Sequence, residues 1–91
     1  MSVYVDHAKN AFGRMKMSHM IADTPAELHA MADIIGIARK WFQGNASFPH
    51  YDVAQSKRAC AVAAGAIEID RRQLVDVMKR IRTNETFEET S

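Results

Sequence analysis

One cysteine, two prolines and four glycines in 91 residues leave few ways to staple or break this chain. Cys60 alone cannot close an internal disulfide, so a hydrophobic core has to hold the fold, and the compartment to expect is a reducing cytoplasm. A surplus of one charge sign is lacking as well. Twelve Lys and Arg against eleven Asp and Glu give a net charge of +1, which gives no reason to expect general electrostatic binding to nucleic acid and leaves only local patches for it. No apolar run approaches the roughly 18–20 residues of a membrane span. Asp6 and Lys9 interrupt the stretch that a signal peptide would use, so neither insertion nor export is expected. HExxH, paired CxxC, Walker, GxGxxG and GxSxG sequences are absent too, and with them the familiar zincin, kinase, dinucleotide and α/β-hydrolase signatures. No cofactor is therefore assigned.

What is present is a composition 47% hydrophobic, with four Phe, two Tyr, one Trp and six Met. That suffices for one core. The expected organisation is a single α/β domain over residues 1–82 and a polar, acidic, frayed tail over 83–91. So small a domain buries a modest share of its surface, which makes a homo-oligomer or a bound ligand an expected source of further burial.

Ser2-Val3-Tyr4-Val5-Asp6 is β-branched and aromatic and reads as a first strand. His7 to Lys16 mixes Asn10 and Gly13 with Lys9, Arg14 and Lys16, the composition of an exposed basic loop. Met17 to Ile21 reads as a second strand, with Met17, His19 and Ile21 on one face. Thr24-Pro25-Ala26-Glu27 is a helix start: Thr24 caps, Pro25 suits the first turn, and Glu27 reaches back. Leu28, Met31, Ala32 and Ile35 then form a buried stripe up to Gly36, a left-handed C-cap. Ile37 to Phe42 predicts a short helical turn, Gln43 to Ser47 a flexible loop, and Phe48 to Asp52 a structured loop shaped by Pro49. Val53 to Ala64 predicts a helix with Ser56, Ala59, Cys60 and Ala63 as its packing face, ended by Gly65. Ala66 to Ile69 is a third short strand, and Asp70 with Gln73 caps a last helix whose stripe is Leu74, Val77, Met78 and Ile81. The expected fold is thus a small three-stranded, at least partly parallel sheet with three to four packed helices, the second and third strands running parallel through a crossover.

Ligands of open α/β sheets sit beyond strand ends and at helix N-termini, and the polar candidates gather there: Asp6 and His7, Asp23, and His50-Tyr51-Asp52. His50, Asp52 and His19 are the candidate acid–base residues, because imidazole titrates near neutral pH and a carboxylate orients it. Against this, His19 among apolar neighbours also fits a core histidine, Asp23 a turn residue, and Asp52 an N-cap with Tyr51 as a core anchor. Arg14, Asp23, His29, Tyr51, Lys57 and Arg58 are the candidate ligand contacts. Lys57 and Arg58 in the first turns of a helix oppose its dipole, which a bound anion would offset and a solvated face would equally tolerate. His19, Asp23, His29, His50 and Asp52 include donors suited to zinc, iron or manganese, but their spacing is not diagnostic and no residue is assigned to a metal. Cys60 reads as packing.

At Val3-Tyr4-Val5-Asp6, Phe12-Gly13-Arg14-Met15, His19 to Thr24, Glu27 to Ala32, His50-Tyr51-Asp52, Ser56 to Ala59 and Gly65-Ala66, the chain resembles a small family of phages and bacteria, domain of unknown function 4031. It departs from that pattern at His7, where phage members often carry an acidic residue, and at Ser18, where they carry a cysteine. The resemblance implies a phage or bacterial accessory protein with Arg14, His19, Asp23, His29, His50 and Asp52 as motif positions. It implies no activity.

Three functions follow as expectations. The first is a binding module for a phosphate-bearing small molecule or nucleotide. The second is a metal-assisted or His/Asp acid–base phosphohydrolase acting on a nucleotide or nucleic acid. The third is a protein-interaction factor that inhibits a host enzyme through Met15, Met17, Trp41 and Phe42.

Overall fold

A computed structural model describes residues 2–12, 15–44 and 49–90. Its sheet has five strands, Val3–Val5 (β1), Asn10–Phe12 (β2), Met15–Ala22 (β3), Tyr51–Ala54 (β4) and Ile67–Glu68 (β5), with helices Pro25–Ile35 (α1), Gln55–Ala63 (α2) and Arg71–Thr90 (α3). The α/β class and the partly parallel sheet are as the sequence predicts. The pairing differs, because β5 runs parallel to β1 and β3 antiparallel to β1, so the first strand separates the two expected to be parallel neighbours. Two further strands arise where loops are expected. Part of the basic segment, Asn10–Phe12, pairs with Met15–Met17, and Tyr51–Ala54 pairs with Met17–Met20. Both short segments borrow their order from β3, whose eight residues are long enough to template three partners.

Alternation along the strands builds two cores. Val3, Val5, Met20, Ala22, Tyr51 and Val53 pack with α1 and with Ala61 of α2, while Tyr4 and Ile21 turn to Leu74, Val77 and Ile81 of α3. The α1 stripe is the predicted one, with Leu28, Met31, Ala32 and Ile35 all buried. Thr24 Oγ1 accepts from Glu27 N–H at 3.3 Å at its start. At its end Gly36, at φ 80°, donates to Asp33 O while Ile37 donates to Ala32 O, the paired bonds of a Schellman cap. The predicted turn after α1 is a 3₁₀ turn, Arg39–Trp41, fastened to α1 by Arg39 on Asp33. Asp70 and Gln73 cap α3 reciprocally at 2.8 and 2.9 Å.

Helix α2 corrects two expectations. Its start lies at Gln55, with Ala54 rather than Asp52 as N-cap, because the preceding residues are a strand. Its small residues Ser56, Ala59, Cys60 and Ala63 are exposed, and its inner face is Lys57, Arg58, Ala61 and Val62. The two cations sit inward because their heads reach backbone carbonyls at the ends of other elements. The helical backbone of α3 continues over residues 83–90 instead of stopping near Arg82, since neither Gly nor Pro interrupts a glutamate-rich run. No helix among the described residues is long and apolar enough to cross a membrane.

Candidate functional site

Register decides which polar side chains meet. His19 of β3 stands directly across from Asp52 of β4. On the other side of β3, Asp6 N–H donates to His19 O at 3.1 Å, one residue beyond the Val5 and Met20 pair. Asp6, His19 and Asp52 therefore form a row across the sheet. His50 precedes Asp52 by two residues and shares its face, whereas Tyr51 between them points to the opposite one. The His50-Tyr51-Asp52 cluster is thus divided by the pleat.

The row is tightly built. Asp6 is buried, with 3% of its surface exposed, and its Oδ2 lies 2.7 Å from His19 Nδ1. Its Oδ1 accepts from the backbone N–H groups of His19 at 2.9 Å and Ala8 at 3.2 Å. A carboxylate held by two backbone N–H groups fixes the ring it faces, with Nδ1 toward Asp6 and Nε2 away from it. Asp52 Oδ1 lies 3.9 Å from that Nε2 and 3.4 Å from His50 Nε2. Gln43 Nε2 donates to Asp52 Oδ2 at 2.6 Å, and Gln43 N–H donates to His50 O at 2.9 Å, so one residue braces both members of β4's polar face. The two imidazoles meet edge to face, with centroids 5.3 Å apart.

His19, His50, Asp52 and Gln43 line a cleft of about 730 Å³. Met15, Met17 and Trp41 supply an apolar wall and Lys57 a cation. Lys57 Nζ donates to Ile35 O at 2.8 Å, which places its charge at the C-terminus of α1, where the helix dipole favours it. An ammonium has three donors, so this contact leaves it able to meet an anion as well.

The remaining candidates are dispersed. Arg58 turns away from the cleft: its Nε donates to Asp6 O at 2.8 Å and its Nη1 to Glu68 at 2.9 Å, which braces the segment carrying Asp6. His29 Nδ1 and Tyr51 Oη lie 2.7 Å apart in the core between α1 and β4, with Phe42 against both rings. Burial pushes the Tyr51 phenol above its ordinary pKa. Asp23 lies about 13 Å along β3 from His19 at the usual rise of a strand. There it accepts from Ser2 N–H, Tyr4 Oη and Arg80 Nη2 at 2.9, 3.1 and 2.8 Å. Partial burial raises the Asp23 pKa, but the hydrogen bonds from Arg80, Tyr4 and Ser2 outweigh that and hold it below the usual carboxylate value. Arg14 lies outside the described residues. Cys60 is exposed rather than packed.

Gln43 is a site member that sequence reasoning leaves out, and Asp6, a polar candidate at a strand end, receives no role there. Asp6 carries one signal, a carboxylate immediately after a Val-Tyr-Val strand, but its partner is a strand 13 residues away. Gln43 carries none, since it sits in a stretch whose composition predicts a loop.

A family model described as a protein of unknown function (DUF4031) matches residues 3–81. No curated protein and no solved structure matches the chain.

Proposed function

The chain belongs to the DUF4031 family, and from that premise we propose that it binds a phosphate-bearing small molecule of nucleotide size in the cleft beside His19, His50 and Asp52. The observation that carries this reading is the composition of the cleft walls. An exposed indole, Trp41, faces the same space as a lysine ammonium and a His/His/Asp cluster. Its volume of about 730 Å³ falls within the range of small-molecule sites. An aromatic platform suits a planar base, and the Lys57 ammonium suits a phosphate. Isothermal titration calorimetry of the chelator-treated protein against a panel of nucleoside mono-, di- and triphosphates tests it. Saturable binding that Trp41→Ala and Lys57→Ala each weaken is the expected result. A folded protein that binds no member of the panel overturns it.

Hydrolysis of such a ligand is favoured by one contact, the Asp6 carboxylate 2.7 Å from His19 Nδ1, which holds the Nε2 lone pair toward the cleft, where it serves either as a general base or as a metal ligand. His19→Ala should then abolish turnover while leaving the circular-dichroism spectrum unchanged. A phage or bacterial accessory role in the cytoplasm accords with the family resemblance and with an exposed free thiol at Cys60. Of the surface proposed to meet a host protein, Met15 and Trp41 are exposed, whereas Phe42 packs against the core. Sedimentation of the wild type beside Trp41→Ala decides whether a second copy covers that surface.

A further inference from the structure

We propose that His19, His50 and Asp52 bind one divalent first-row transition-metal ion, and that Asp6 and Gln43 orient its ligands. One ligand atom from each of the three residues falls within 4.8 Å of the others, with Asp52 Oδ1 3.4 Å from His50 Nε2 and 3.9 Å from His19 Nε2. In a tetrahedral zinc site, bonds of about 2.0–2.1 Å place ligand atoms roughly 3.3 Å apart. One contact already has that spacing, and an ion would have to draw the others in by rotation of the His50 and Asp52 side chains.

The donor set selects the ion class. Two imidazoles and one carboxylate suit Zn²⁺, Fe²⁺ or Mn²⁺, whereas Ca²⁺ and Mg²⁺ take shells of oxygen. The outer contacts point the same way. A ligating histidine nearly always gives its second ring N–H to a carboxylate, carbonyl or water, and Asp6 stands 2.7 Å from His19 Nδ1 for that purpose. Because Asp6 is pinned by two backbone N–H groups, the ring is aimed without help from an ion. Gln43 holds Asp52 Oδ2 and leaves Oδ1 toward both rings, the geometry of a monodentate ligand. Arg58 supports this arrangement at one remove, through the backbone carbonyl of Asp6.

Three protein ligands leave a further coordination position, and the cluster forms a wall of the cleft. That is the pattern of a catalytic rather than a structural metal site, in which water or a ligand oxygen takes the open place. The site stands independently of the nucleotide reading, since metal binding needs nothing else in the cleft.

The test is titration of the chelator-treated full chain with Zn²⁺ by calorimetry and with Co²⁺ by visible absorption. One equivalent should bind, and Zn²⁺ should raise the melting temperature by mass action. His19→Ala, His50→Ala and Asp52→Asn should each abolish saturable binding, whereas Asp76→Asn, at an exposed carboxylate of α3 outside the cluster, should retain it. Asp52→Asn alters a side chain that is 38% exposed and keeps the test readable if a histidine variant fails to fold. Asp6→Asn, a change in a positioning residue, should weaken Zn²⁺ affinity roughly 10–100-fold and leave the Co²⁺ ligand-field bands in place. Absence of saturable binding by the folded wild type, or equal binding by wild type and Asp52→Asn, overturns the proposal. The nucleotide titrations use chelator-treated protein without added metal, so either result is legible without the other.

Discussion

Asp23 and Asp52 are both carboxylates joined to β3, yet they are surrounded by opposite chemistry. Asp23 receives Ser2 N–H, Tyr4 O–H and the Arg80 guanidinium, and those donors cannot exchange roles with it at neutral pH. Asp52 receives one fixed donor, Gln43, and turns its other oxygen toward two imidazole nitrogens that act as donor, acceptor or metal ligand according to state. The first arrangement is complete and ties β1, β3 and α3 together. The second has convertible partners and lies on a cleft. Composition alone does not separate an anchor from a reactive site; the kind of partner and access to a cavity do.

The contrast can be broken most severely at Asp6. Asp6→Ala strips the His19 ring and two backbone N–H groups of their acceptor in a buried place, and should destabilise the domain by on the order of 3 kcal/mol, read as a lower urea midpoint with unchanged slope. An unchanged midpoint would mean that water replaces the carboxylate. Tyr51→Phe removes the hydrogen bond to His29 in the core and should cost about 1 kcal/mol. Ligand and Zn²⁺ titrations should not change in that variant, because the pleat points Tyr51 away from the site.

Asp23→Asn sharpens the comparison through pH. The folded pKa of Asp23 is lowered, so its contribution is present above the unfolded value near 3.8 and is lost as pH falls through the lower folded value. The stability difference between wild type and Asp23→Asn should therefore be flat from neutral pH to about 5 and shrink in more acidic solution. Its size should stay near or below ~1 kcal/mol, because Arg80 is more than half exposed and solvent screens the pair. A difference that grows on acidification would contradict the closed-network account. Arg39→Ala, at a surface pair with Asp33, should leave the melting temperature unchanged within error.

Much of the helical framework is legible in the chain. The Thr24 to Glu27 start, the α1 stripe, the Gly36 stop and the Asp70–Gln73 cap rest on contacts within a few residues, and local sequence contains both partners of each. The short strands are less legible. Asn10–Phe12 and Tyr51–Ala54 carry too few residues to show a period, and each is ordered by β3 rather than by its own preference. The site suffers the same loss. His50-Tyr51-Asp52 reads as one cluster in a loop but becomes two groups on opposite faces once it is a strand. Asp23 and His29, motif positions like His19, are used up in contacts with Arg80 and Tyr51 instead.

Local sequence by itself determined the α/β class, the capped helices and the apolar stripes, because capping and periodicity act over one or two turns. Tertiary structure alone decided that β1 lies between β3 and β5, that Lys57 and Arg58 face inward, and that Asp6, His19 and Asp52 share a row. The physical reason is the range of the interaction. A strand's partner and register are set by hydrogen bonds and packing between distant segments, and shifting that register by one residue would send His19 to a different partner.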